Sequence, residues 1–173
     1  LIQAMVARCE QSPVHLLNRG CFEYFNFASS KGGAEQVRVL GATLWTDYLG
    51  DGSRSRDLAL HQANRELMDH RLISYRTGSQ ALPFHPLDAL RLHEQEKRWL
   101  LSELQKPYAG KTVVVSHHAP HPRCGHPDFP DSPLGPAFFS DLENILCSYA
   151  IDLWVFGHTH ANFDAVIGNS RVV

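Results

Sequence analysis

Two short segments hold residue types suited to metal chemistry: Ser116-His117-His118 and Gly157-His158-Thr159-His160. A neutral imidazole offers a nitrogen lone pair to a metal ion, and histidine is the side chain that titrates nearest neutral pH. The chain holds 11 histidines in 173 residues, a high density for its length. His117, His158 and His160 converging at one rim would suit zinc, iron or manganese; calcium prefers oxygen ligands. A lone His-x-His says little, because surface histidines are common. Two histidine segments that each close an apolar run are far more specific.

The elements that must position these residues are legible from the hydropathy pattern. Lys111-Thr112-Val113-Val114-Val115 is a short, unbroken run of the kind expected of a strand buried on both faces, and it ends at Ser116-His117-His118-Ala119-Pro120. A Pro- and Gly-rich loop runs from there to about Gly135, followed by a helix predicted over Ala137–Tyr149. A second buried strand, Asp152–Phe156, ends at Gly157-His158-Thr159-His160. This strand–loop–helix–strand order predicts an α/β sheet, in which ligands bind beyond the carboxyl ends of the strands. Gly157, lacking a Cβ, would let the chain turn sharply and neighbouring groups come close. A tight loop would also let His158 and His160 straddle two ions.

Upstream, Ile2–Glu10 reads as the end of a helix. Val14–Leu17, Cys21–Ala28 and Val37–Leu44 read as strands of an antiparallel meander, with a turn at Asn18-Arg19-Gly20 and a loop at Ser29–Gly33. Thr46–Arg56 is polar and reads as a loop, Asp57–Arg71 as a helix, and Ser74–His85 as irregular. Pro86 would open a helix over Leu87–Lys106, with Leu90, Leu101, Leu104, Trp99 and Leu100 packed on the sheet. Phe163–Ile167 and Arg171–Val173 predict a hairpin around Gly168-Asn169.

Composition narrows the function classes. A hydrophobic fraction of 43% and a charged fraction of 20% are ordinary for a single globular domain, residues 1–173. A formal net charge of −2 gives no electrostatic case for nucleic acid or an anionic membrane as partner. No apolar run approaches the roughly 20 residues that span a bilayer. No signal peptide is visible, and Cys9, Cys21, Cys124 and Cys147 form no Cys-x-x-Cys. Cytoplasmic placement is the expectation from these features, although an even cysteine count also permits disulfides.

With its strand ending in histidine and its strand ending in Gly-His-x-His, the chain resembles the calcineurin-like metallophosphoesterases. The likeness extends to Leu44-Trp45-Thr46-Asp47 and to the helix near Trp99-Leu100. The resemblance implies an α/β/β/α four-layer sandwich with the site at the sheet edges. It implies that His117 and His158 ligate one metal and His160 the other. His118 matches no ligand position of the family; it is placed as the catalytic residue near the substrate phosphate or just behind the ligands, with a structural role as the alternative. The resemblance implies two divalent or trivalent transition-metal ions (Mn, Fe or Zn) and a phosphorylated small-molecule or nucleotide substrate, cleaved by a phosphatase or phosphodiesterase reaction. With ordinary imidazoles, metal affinity should fall below about pH 6.5. The family also uses an Asp-x-His, a Gly-Asp that supplies a bridging carboxylate, and an Asn-His. None is present in that context: Asp47, Asp51 and Asp57 are poor substitutes. The expectation is that the chain corresponds to the C-terminal portion of such a domain; the alternative is a non-catalytic relative that keeps the fold. A smaller zinc site from His121, Cys124 and His126 is a lesser possibility.

Overall fold

A computed structural model describes residues 2–9, 11–26 and 35–173. The elements run in the order α1 (Ile2–Cys9), β1 (Gly20–Asn26), β2 (Glu35–Ala42), α2 (Arg56–Glu66), α3 (Asp69–Leu72), β3 (Ser74–Thr77), β4 (Gln80–Pro83), α4 (Pro86–Leu104), β5 (Lys111–Ser116), α5 (Glu143–Ser148), β6 (Leu153–Val155), β7 (Ala165–Ile167) and β8 (Ser170–Val172). The loop expected at Ser29–Gly33, Glu10 and the end of the strand expected over Cys21–Ala28 lie outside the described residues.

Six strands form one sheet in the order β1-β2-β5-β6-β8-β7. Its centre, β2-β5-β6-β8, is parallel, and the two outer pairs are antiparallel. This is a mixed α/β architecture with a central, mostly parallel sheet, consistent with the metallophosphoesterase fold; the second sheet is the two-stranded β3–β4 pair. One register row explains much of its stability. Leu40, Val114, Trp154 and Val172 are successive partners across the four parallel strands, and each is at most 2% exposed. Leu100 and Leu104 of α4 and Ile145 and Leu146 of α5 join the same cluster. Truncating Trp154 to Ala would cost about 3–5 kcal/mol.

Several expectations change. Along β5, Thr112, Val114 and Ser116 are buried while Val113 and Val115 are only half-buried, so the run alternates and is not buried on both faces. Val14–Leu17 forms no strand. Leu17 instead crosses β2, where a Cβ on Gly41 would come within 2.4 Å of the Leu17 Cβ. The meander is thus reduced to the β1–β2 pair. The helix over Asp57–Arg71 breaks into α2 and α3 because Leu67 turns extended and packs against the cluster of Tyr48, Ala59, Ala63 and Phe84. Ser74–His85 contains the β3–β4 hairpin. The helix predicted over Ala137–Tyr149 is a 3-10 turn at Gly135–Ala137 followed by the short α5. The last hairpin is present, with Gly168 at φ 57°, a backbone angle a glycine takes without cost.

Pro86 does open α4, and the backbone N–H of His85 donates to Asp88 Oδ2 at 3.0 Å. The helix buries Ala89, His93, Glu96, Leu100 and Leu104, a stripe on one helical face. Leu90 and Leu101, expected on that face, are only half-buried. All four cysteines are free thiols. Among the described residues no helix is long and apolar enough to cross a membrane.

Candidate metal centre at the carboxyl ends of β5 and β6

The end of β5 is held by backbone and core together. The Ser116 hydroxyl accepts from Trp154 Nε1 at 2.9 Å and donates to the His118 carbonyl at 2.7 Å, so the buried indole anchors the turn. The N–H groups of His117 and His118 both donate to the Thr43 carbonyl, at 3.2 Å each. Gly157 N–H donates to the His117 carbonyl at 3.0 Å, which ties the end of β6 to the end of β5.

Three imidazoles meet there. His117 Nε2 and His158 Nδ1 are 3.1 Å apart. The His118 and His158 ring centroids are 4.2 Å apart, and those of His117 and His118 are 5.2 Å apart. Phe138 stacks on His158 at 4.5 Å, and Trp45 lies 5.0 Å from His118. Burial, with the neighbouring His158 and His117, pushes the pKa of His118 well below its ordinary value. Burial, then His117, pushes that of His158 down to about 4. Both rings are therefore neutral at pH 7, the form that ligates metal. His158 Nε2 is buried, and the Ala137 backbone lies close enough to this ring to oppose part of the lowering of its pKa. A spacing of 3.1 Å is also what two nitrogens adopt when each lies about 2.0–2.1 Å from a shared ion. These residues fit a transition metal on the spacing of the two nitrogens and on the neutral His118 and His158 rings. The lowered pKa of His158 also moves the expected acid threshold: this ring adds no proton competition for metal until about pH 4, not pH 6.5.

The Gly-His-x-His turn works differently from the sequence expectation. The left-handed residues are His158 (φ 65°) and His160 (φ 56°), which costs non-glycine residues roughly 1–2 kcal/mol each. Gly157 has no positive φ, and a Cβ there would meet His117 only at 3.7 Å, ordinary contact. The special geometry is stored in the histidines themselves, as strain at functional sites often is. His160 is exposed at the mouth of the site, and Thr159 is buried between the two histidines.

Among the described residues, the set of three ligand-type atoms mutually within 4.8 Å is His121, Asp141 and Glu143. Its histidine is a poor ligand. His121 Nδ1 accepts from Arg123 N–H at 3.1 Å, so the ring proton sits on Nε2 and no lone pair is left. The zinc site from His121, Cys124 and His126 fails for the same reason. His126 Nδ1 accepts from Asp128 N–H, and His121, Cys124 and His126 do not bring three ligand atoms within 4.8 Å of one another.

Sequence reasoning missed a clamp behind the site. His93, fully buried, donates from Nδ1 to the Leu44 carbonyl at 2.7 Å, and Glu96 Oε2 accepts from Leu44 N–H at 2.5 Å. The two α4 side chains thus grip both backbone groups of a residue at φ 69°, and Trp45, at φ 38°, carries the ring beside His118. The available signal was the stripe Ala89–His93–Glu96–Leu100, in which two polar residues sit at apolar positions. Asp69 of α3 was also unmarked, yet its charge reaches His158 and opposes the lowering of its pKa.

A solved structure, the phosphopantetheinyl hydrolase from Mycobacterium tuberculosis, shares the fold at a TM-score of 0.59 and 18% sequence identity. The match covers 99% of this chain and 58% of that one, so the chain spans little more than half the length of this neighbour. No curated protein matches the chain in sequence. The calcineurin-like phosphoesterase pattern, however, matches residues 15–162, a span that includes the clamp, both strand ends and every histidine of the cluster. The chain belongs to the calcineurin-like phosphoesterase family.

Proposed function

We propose that this chain serves in the hydrolysis of phosphoesters at a dinuclear centre, with His117 and His158 as ligands to one ion and His160 as a ligand to the other. The observation that carries this reading is the pair of imidazole nitrogens, His117 Nε2 and His158 Nδ1, 3.1 Å apart beyond the ends of two neighbouring parallel strands. Manganese, iron or zinc bound there would supply Lewis acidity and lower the pKa of a bound water. His117 Nε2 and His158 Nδ1 would face it, beyond the ends of two hydrogen-bonded parallel strands that fix their separation, and the His158 ring is neutral. His118, 2% exposed and neutral, orients the phosphoryl group from behind this pair, and Phe138 keeps water from the outer face of His158. The substrate is a phosphorylated small molecule or a nucleotide. The activity of the whole protein is part of the proposal, because the chain spans 58% of its structural neighbour.

One observation favours a second role for His118. Its Nδ1 faces the Thr43 carbonyl at 3.4 Å and must donate there, which leaves the lone pair on Nε2. That tautomer is typical of a metal ligand. Hydrolysis of p-nitrophenyl phosphate and bis-p-nitrophenyl phosphate with added manganese tests the assignment. Metal-dependent turnover is expected to fall more than 100-fold in His158→Ala. Turnover equal to wild type in that variant would exclude the site, and no turnover from the full-length gene product would favour a non-catalytic relative. If His118 is a ligand, His118→Ala loses bound metal; if it only orients phosphate, that variant keeps its metal and loses rate.

A further inference from the structure

Beside the histidines lies a cleft of about 590 Å³, within the range of small-molecule sites. One wall is the turn at His158, Thr159 and His160; the other is the loop following β5. That loop is ordered by a succession of short turns: Cys124 N–H to His121 O, Phe129 to His126, Ser132 to Phe129, Gly135 to Ser132, Phe138 to Gly135. Its base is pinned where Ala119 N–H donates to Phe138 O and Ser140 N–H donates to Ala119 O. Pro122, Pro127 and Pro130 further restrict it, so little entropy remains to be lost on binding.

The chemistry of the walls is one-sided. Phe129, Phe138 and Phe139 line the cleft, and none of its lining residues is Lys, Arg, Asp or Glu. Phe129 is 66% exposed, a large apolar surface left open beside a candidate active site. Phe138 belongs to both regions, because its ring also stacks on His158. Aromatic faces favour flat partners by offset or edge contact. Its polar groups are Ser132, Thr159 and the histidines His126, His158 and His160, so a second phosphate or carboxylate in this cleft would meet no Lys or Arg.

We propose that this cleft takes the organic group of the phosphoester, and that this group is an uncharged aromatic or heteroaromatic ring seated between Phe129 and Phe139. The assignment rests on the phosphoesterase reading for its orientation, with phosphorus toward His158 and the ring toward Phe129.

The test uses the chain with isotope-labelled phenylalanine rings, followed by NMR, and three probes: phenylphosphonate, methylphosphonate and the phosphorus-free 2-phenylethanol. Phenylphosphonate is expected to bind at least tenfold more tightly than methylphosphonate in the presence of manganese. Both phenyl probes should shift the Phe129 and Phe139 resonances. Phe129→Ala, at an exposed position that leaves the fold intact, should reduce the phenyl preference to threefold or less without changing methylphosphonate binding. Equal affinity for the two phosphonates, a preference unchanged in both Phe129→Ala and Phe139→Ala, or no shift with either phenyl probe would overturn the proposal. Ring binding by 2-phenylethanol without binding of either phosphonate would support the cleft and count against the phosphoesterase reading, which separates the two failures.

Discussion

The two ends of the central sheet carry polar clusters of opposite character. At the amino end, Arg38 is 7% exposed, and among the described residues it donates to three oxygens. Its Nε donates to Thr112 Oγ1 at 3.0 Å and its Nη1 to the carbonyls of Glu103 and Lys106 at 3.0 and 3.2 Å, which caps the end of α4. The Tyr108 ring lies 4.9 Å from the guanidinium carbon. Asp152 accepts from Lys111 Nζ at 2.6 Å and from Thr112 N–H at 2.9 Å. At the carboxyl end burial keeps the His118 and His158 rings neutral, the backbone is left-handed at Leu44, Trp45, His158 and His160, and His93 Nε2 is buried without a partner. The amino end directs its buried cation to backbone and side-chain oxygens, with the Tyr108 hydroxyl left as its one buried atom without a partner among the described residues. The carboxyl end instead gathers neutral imidazoles. That asymmetry separates stability from function on a single sheet.

Acid should break the two ends apart, with the largest effect. Burial lowers the pKa values of His70, His93 and His121 below the ordinary 6.5. The unfolded chain then binds more protons than the folded one, so stability is fully present above about pH 6.5 and is lost as pH falls toward the folded values. The slope is up to about 1.4 kcal/mol per pH unit for each histidine. Asp152 behaves differently: burial raises its pKa, but the Lys111 and Thr112 hydrogen bonds outweigh this and leave it below 3.8. Its contribution is therefore present above that value and is lost only on further acidification. Urea midpoints measured from pH 7.5 to 3 should fall steeply below pH 6.5. A flat profile down to pH 4 would show that these histidines are not buried neutral.

Arg38→Met should cost about 2–3 kcal/mol, because the α4 carbonyls lose their donor, while metal content stays unchanged. Metal loss in that variant would show that the two ends are coupled. His158→Gly should raise the stability of the metal-free chain by about 1 kcal/mol by relieving its left-handed backbone, at the expense of metal binding. Lower stability in the absence of metal would argue that His158 is structural. Lys111→Ala, at a pair whose side chains are 59% and 35% exposed, should change the urea midpoint least, by under about 1 kcal/mol.

The carboxyl ends of β5 and β6 were legible because short apolar runs that stop at histidine have few other meanings in an α/β chain. The last hairpin was legible from Gly168-Asn169, and α4 from Pro86. The clamp was not, since hydropathy assigns His93 and Glu96 to solvent when tertiary hydrogen bonds to Leu44 in fact bury them. The break after Glu66 carries no glycine or proline to announce it; packing of Leu67 sets it. The left-handed backbone also sits on histidines and not on Gly157; histidine is one of the few non-glycine residues enriched there, but glycine remains the default choice. The departures at Leu44, His158 and His160 lie around the candidate site, where local rules are expected to yield to function.

The most direct test of the central claim is metal content per chain, measured by elemental mass spectrometry on untagged protein purified without chelator, for wild type and His158→Ala side by side. Wild type is expected to carry manganese, iron or zinc, and His158→Ala to lose at least one equivalent of it while remaining folded by circular dichroism. Equal metal content in the two proteins, or none in wild type after incubation with manganese and zinc, would contradict a metal centre at His117 and His158.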